Sequence, residues 1–508
     1  MNGAHWESAL ESQEGLVFGG AKEAARVTSS RFSACEKFLF VLFLFTLPLV
    51  NPWVRGDGVG YYAYVRSLLI DHDLRFENDW LAGNASFVSA RTDAAGHLLP
   101  DQYTRTGYVG NHFSVGPSIL WAPAIVATHA AVLALDRLGA HIQADGYSRP
   151  YLIAMALTTA LCGFAGIFLS FLIARKYFSE RWALLAALGV WLASSLPVYM
   201  YFNPAWSHAH SAFAAALFIW YWERTHLRRT LAQWTILGLI AGLMVNVYYP
   251  NAFLMVFPVV EVIFSLRRST RGWKSGESFG RMAASTALFG AVFMLALLPT
   301  FVTRQIIYGS PFETGYPSIR FWHWASPLFG SVLFSSDHGL LTWTPILALA
   351  ILGLVFLWKR SVLLAGCATL SLLLFLYFIA SYPDWDGLSS FGNRFFVSLT
   401  PLFVIGLAAF FETLARWIGN ARRAFVAVSC GVALFAVWNA AFVFQWGTHL
   451  VPARGPISWS EMVHNQFAVV PGRATRDLEI YLLRRKAMMQ HIEEEDMQQQ
   501  KAQRGQEK

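Results

Sequence analysis

Charge is scarce in this chain: Asp, Glu, Lys and Arg make up 14% of its 508 residues, where a soluble domain carries about a quarter. That shortage excludes an ordinary water-facing surface. Cysteine is almost absent as well. Cys35, Cys162, Cys367 and Cys430 lie far apart, three of them inside apolar runs, so they give neither a disulfide framework nor a metal-ligand spacing and read as packing residues. Residues 1–36 lack the short basic start and small-residue cleavage site of a removed leader, so the first apolar run is expected to be retained. No internal duplication is evident, which weakens a transporter built on repeats. Ionisable groups are nearly missing from the apolar runs, apart from Glu261 and Glu412 close to arginines, whereas a proton or ion path needs charge near the midplane. The net charge of +8 suits cytoplasmic loops against anionic lipid rather than nucleic acid.

What is present is hydrophobic: 55% of the chain, with Phe, Tyr and Trp together at 16%. Apolar runs of about 20 residues, enough to cross about 30 Å of hydrocarbon, recur at 38–54, 149–174, 182–200, 209–222, 233–247, 251–266, 283–303, 341–358, 362–381, 397–415 and 425–446. The pattern predicts an all-α polytopic membrane protein of about eleven spans. Basic loops at Arg175-Lys176 with Arg181, Arg224 with Arg228-Arg229, Arg267-Arg268 through Arg281, Lys359-Arg360, and Arg416 with Arg422-Arg423 are expected inside. Connections without Lys or Arg, such as 201–207 and 248–251, fall outside. A further run at 117–135 would invert every later loop if it crossed, so it is placed as an interfacial or re-entrant helix, with an ordinary span as the alternative. The domains expected are a cytoplasmic tail at 1–37, a membrane domain at 38–446 with an external loop at 55–148, and an external amphiphilic tail at 447–508. Within the loop, 61–70 reads as a helix lying among headgroups. In the tail, an interfacial helix is expected around 475–497, followed by a disordered end.

Charged and imidazole side chains collect at the outer ends of the spans: Asp57, His112, Arg149, His208, His210, Arg304, Arg320, His323, Asp337, His338, Asp384, Asp386 and Arg394. Such a face can hold an anionic headgroup whose tail stays in the bilayer. A guanidinium fork pairs two phosphate oxygens, and a carboxylate accepts the proton of an incoming hydroxyl. Plain readings stand beside these: Asp57 as a polar cap after the first run, Arg149 as an interfacial anchor, and Tyr61, Tyr62 and Phe321-Trp322-His323-Trp324 as an aromatic belt. His208 and His210 are two residues apart, which keeps them off a shared helical face and argues against a two-histidine metal site. Asn84-Ala-Ser86 matches a glycosylation acceptor, a pattern short enough to arise by chance.

In order along the chain come Gly56-Asp57-Gly-Val-Gly-Tyr-Tyr62 after the first run, then Asn111-His112-Phe-Ser-Val-Gly116-Pro117, then Arg149 opening the next run. This order resembles the GT-C superfamily of integral-membrane glycosyltransferases, in particular its protein-mannosyltransferase and aminoarabinose-transferase-like branches. The segments 308–316, 333–341 and 391–401 look like those of bacterial members. The resemblance implies transfer of a sugar from a polyprenyl-phosphate donor to an acceptor at the outer face of a bacterial cell membrane. Asp57 would be the catalytic base, Arg149, Arg394, Arg304 and His338 would hold the donor phosphate, and Tyr61, Tyr62, His112 and His208 would contact substrate. No metal is required by that scheme, and a divalent ion is left open. There are departures: Gly58 follows Asp57 where protein mannosyltransferases commonly carry a second acid, and no Lys lies near His112. A transporter or lipid flippase and an inactive scaffold of the same fold are the rival readings.

Overall fold

The computed structural model describes residues 32–226, 229–269 and 276–506, so most of the expected tail at 1–37 and part of the basic loop near Arg271 lie outside the described residues. The chain divides into two compact units, Met1–Leu44 and Phe45–Lys508. The first holds most of α1 (Ala34–Thr46), whose start is a capping box: Glu36 N donates to Ser33 Oγ (3.1 Å) and Ser33 N to Glu36 Oε2 (2.7 Å).

The second unit is helical throughout, with only isolated bridges at Thr92–Leu98 and Tyr103–Val109 among the described residues. Its longer helices are α2 (Asp57–Arg66), α3 (Gly116–Arg137), α4 (Arg149–Tyr177), α5 (Glu180–Leu192), α6 (His208–Thr225), α7 (Leu231–Val247), α8 (Val256–Ser269), α9 (Gly276–Ala296), α10 (Leu298–Tyr308), α11 (Ile346–Leu357), α12 (Val362–Ser381), α13 (Thr400–Ile418), α14 (Ala421–Gly447), α15 (Val470–Leu483) and α16 (Arg485–Gln506). Starts follow local chemistry: Thr230 and Gln233 form a capping box before α7, and Pro150 enters α4 where no amide donor is needed. Each of the eleven apolar runs contains helix. Five stretches, α3, α4, α12, Arg394–Ile418 and α14, are long and apolar enough to cross a membrane, and α9 with α10 makes a sixth, bent by 42° beside Pro299. The others are shorter: α5, α7, α8 and α11 have 13, 17, 14 and 12 residues, and at about 1.5 Å per residue none alone covers about 30 Å.

Polar contacts separate the two ends of this unit. At one end Lys176 pairs with Glu223, Arg360 with Glu412, and Arg229 with Glu261 at 2.7 Å. Glu261, buried and also bonded to Trp222 Nε1 (2.7 Å), is thereby satisfied inside an apolar run. At the other end, the 55–148 loop, the 309–339 loop, the segment leading into Arg394 and the C-terminal helices meet. Arg454 Nε donates to Ser389 Oγ (2.7 Å), Tyr481 Oη to the Leu49 carbonyl (2.7 Å) and Thr104 Oγ1 to the Ile307 carbonyl (2.7 Å). Small residues let α11 and α13 touch by backbone: a Cβ on Gly353 would lie 1.8 Å from the Gly406 carbonyl oxygen.

α3 is one continuous helix and does not dip and return. It is antiparallel to α4, with Trp121 Nε1 donating to Thr159 Oγ1 (2.9 Å) and His129 paired with Tyr151 (2.7 Å). Its first residue, Gly116, sits against Asn246 and Val247 at the last turn of α7. α3 therefore begins at the end of the unit that carries Asp57 and runs away from the basic end. α2 begins at Asp57, four residues earlier than the 61–70 helix expected from sequence, and the tail helix runs on to Gln506, where the sequence predicts disorder.

Candidate active site

Asp57 is the first residue of α2, where the helix dipole favours a carboxylate. The turn that puts it there needs glycine: Gly56 has φ of +51°, and a Cβ would meet the Trp206 ring at 3.3 Å. The Gly56 amide donates to Asn84 Oδ1 (2.9 Å). Asp57 Oδ2 accepts from Arg394 Nη1 at 2.5 Å, the one hydrogen bond of this carboxylate among the described residues. The Arg394 guanidinium lies 4.4 Å from the Trp206 ring centre, and its Nε is buried without a partner. Trp206 Nε1 donates to the Arg55 carbonyl (3.0 Å), and its ring stacks on Tyr199 at 5.7 Å. One turn along α2, Tyr61 faces the same side, accepting from Ser207 Oγ (3.0 Å). Burial, followed by the charge of Asp57, pushes the Tyr61 phenol well up, so it stays a neutral hydroxyl.

The other sequence candidates divide. His112 lies close enough to feel the Asp57 charge, and burial holds its imidazole at about 4, hence neutral; its ring packs edge-on to Tyr316 at 4.8 Å. His208 is buried against Tyr199 (4.7 Å) and Tyr248 (5.8 Å). His338 is fully buried beside Trp343, and burial, with Arg394 adding to it, lowers its pKa to about 4. Arg304 is otherwise employed: its guanidinium donates to the carbonyls of Asn111 (2.7 Å), His112 (2.7 Å) and Phe113 (3.0 Å) and to Tyr249 Oη (2.6 Å). Four of its contacts thus go to the His112 loop and Tyr249. Tyr62 is likewise committed elsewhere, donating to the Gly146 carbonyl at 2.7 Å from a buried ring, because it lies on the face of α2 turned towards α3. Arg149 is exposed at the start of α4 and makes no ion pair among the described residues. Asn84 is drawn into the fold by Gly56 and by Glu493 (2.9 Å).

Trp206, Tyr199 and Asn84 are site residues that sequence reasoning missed. So is Arg91, partly buried and within the electric field of Asp57. Pro204-Ala-Trp206-Ser-His208 carried one available signal, an aromatic beside a histidine in a loop without Lys or Arg. A cleft of about 370 Å³ opens beside α2, lined among others by Trp53, Val59, Asp79, Gly83, Asn84 and Tyr147. Asp79 in its wall is 1% exposed and accepts from Tyr147 Oη (2.5 Å); burial pushes its carboxyl up to about 7 against the pull of Tyr147 and Arg66.

With this geometry in place, residues 151–276 match the family described as dolichyl-phosphate-mannose-protein mannosyltransferase. The structure resembles that of ArnT from Cupriavidus metallidurans bound to undecaprenyl phosphate, with a TM-score of 0.51 and 14% identity over 91% of this chain and 74% of that one. The fold is that of the GT-C membrane glycosyltransferases. A weaker likeness is to the Archaeoglobus fulgidus oligosaccharyltransferase in its apo form, with a TM-score of 0.49 and 13% identity over 81% of this chain and 58% of that one. The chain thus spans little more than half of the archaeal enzyme. A comparison with curated protein sequences gave no match. The family match over 151–276 contains neither Asp57 nor Arg394, so the case for those two residues rests on their geometry.

Proposed function

We propose that the protein transfers one sugar from a polyprenyl-phosphate donor to a hydroxyl acceptor at the outer face of a cell membrane, with inversion at the anomeric carbon. The observation that carries this reading is a carboxylate at the start of α2 paired with a buried arginine on a tryptophan face, at the loop-rich end of a GT-C fold. Oδ1 of Asp57 is free to take the acceptor's proton as the acceptor oxygen attacks the anomeric carbon. The bond to the donor phosphate oxygen breaks, and the electron pair leaves with the lipid phosphate. Such a base contributes about 10² to 10⁴ in rate. The departing phosphate needs charge stabilisation more than a proton, which Arg394, with one nitrogen engaged, and Arg91 are placed to supply. Arg149 is exposed at the head of α4, suited to a headgroup approaching from the bilayer. Tyr61, His112 and His208 present neutral or aromatic groups around the reacting atoms, and the cleft by Asn84 offers room for a sugar or the acceptor. The charge asymmetry between the two ends supports an outward-facing site.

The test is turnover by purified protein in liposomes with radiolabelled polyprenyl-phosphate sugars and membrane extract, wild type beside Asp57→Asn. Wild type is expected to release or transfer sugar, and Asp57→Asn to lose at least about 10² in rate while eluting as a folded protein that still binds donor. Turnover retained by the variant would remove Asp57 as base. A folded wild type inactive towards every donor would remove the transferase reading.

A further inference from the structure

Three ligand-type side chains converge at the loop-rich end without a use in the scheme above. Asp337 and His338 follow the short helix Phe329–Phe334, and Asp386 lies in the segment leading to Arg394. One ligand atom from each lies within 4.8 Å of the others. His338 Nδ1 and Asp337 Oδ1 are 3.4 Å apart, the edge of a tetrahedron about a metal with bonds of about 2.1 Å.

The imidazole is the decisive group. His338 is 0% exposed, and neither ring nitrogen makes a well-formed hydrogen bond: Nδ1 stands 3.4 Å from Asp337 Oδ1, and the ring approaches the Asp386 backbone. Asp337 Oδ1 is likewise buried without a well-formed hydrogen bond. A polar ring taken out of water and so poorly met is disfavoured unless something binds it. Trp343, 4.7 Å away, covers it on one side, while the half-buried Asp386 carboxylate closes another. We propose that Asp337, His338 and Asp386 form a binding site for a divalent transition-metal cation, tying the 335–339 loop to the segment that carries Arg394. One imidazole with two carboxylates suits zinc or manganese better than the all-oxygen preference of magnesium or calcium, and zinc binds the tighter of the two. Closing the 4.8 Å spread requires a side-chain rotation of Asp337 or Asp386, both of them partly exposed. Asp57 is not among the ligands, so the site is separate from the proposed base, and its occupancy is read without any turnover.

The experiment uses tag-free full-length protein in detergent, stripped with chelator, then titrated with ZnCl₂ or MnCl₂, with metal content measured after gel filtration and melting followed in parallel. Wild type is expected to retain one equivalent of zinc and to melt higher with it. Asp386→Asn and His338→Gln should bind at least tenfold more weakly and lose the melting shift. If His338→Gln fails to fold, Asp337→Asn takes its place beside Asp386→Asn. No retained metal in wild type, or equal retention in the folded variants, overturns the proposal.

Discussion

A carboxylate and a guanidinium 2.5 Å apart are held in unequal surroundings: Asp57 keeps 31% of its side chain exposed and Arg394 only 10%. The arginine is thus fixed by Trp206 and by its loop, while the acid keeps access to solvent. A lysine at this place keeps the charge but loses the planar fork and its stacking on the indole. Arg394→Lys is expected to lower kcat/KM by about 10- to 10²-fold, with a rise in donor KM and an unchanged fold by circular dichroism; an unaltered KM would place the phosphate elsewhere. Asp57 and Arg394 stood out in the sequence because charge is rare there and both flank apolar runs. Trp206 and Arg91 did not, since aromatics are common in this chain and the field of Asp57 reaches Arg91 only through folding.

The C-terminal helix α16 is an element whose role the sequence left open. Its acidic run falls within the interfacial helix expected around 475–497, and in the fold Glu493 accepts from Asn84 Nδ2 (2.9 Å) and from the Ser86 amide (2.5 Å), and Asp496 pairs with Arg55. The helix therefore braces the loop that sets Gly56 and Asp57. Glu493→Ala leaves Asn84 and the Ser86 amide short of an acceptor, with an expected loss of about 1–3 kcal/mol, visible as a lower melting temperature. His449 completes the clasp between Glu495 (2.7 Å) and Asp496 (3.1 Å). Burial opposes its charge, but the two carboxylates outweigh burial and raise its pKa. Its stabilising part is complete below the ordinary histidine value of about 6.5 and is lost as pH climbs through the raised folded value. Asp496 is held low by His449 and Arg55 against its own burial, so its part is lost on acidification below about 4. Protection factors for amide exchange in 485–506, taken relative to the intrinsic rate at each pH, should therefore be higher at pH 6 than at pH 9, and His449→Gln should flatten that difference; equal protection in wild type at both would refute the clasp.

For the molecule as a whole, the loop after α1 and the C-terminal helices share one end, and the Arg175–Glu180, Arg229–Glu261 and Arg360–Glu412 pairs share the other. In a background with the four cysteines replaced by alanine, a membrane-impermeant maleimide added outside should label Ala95→Cys and Gln490→Cys but not Arg422→Cys; the reverse pattern would invert the orientation. The sequence by itself determined the helical membrane class and the basic end and singled out Asp57 as a candidate, because hydropathy and scarce charge are local properties that need no partner to be read. Folding alone decided which cations reach Asp57, that Arg304 serves a loop's carbonyls and Tyr62 faces α3, and that Asp337, His338 and Asp386 meet. Those outcomes depend on contacts between segments hundreds of residues apart, and packing of buried helices, rather than any nearby pattern, chooses which polar groups face one another.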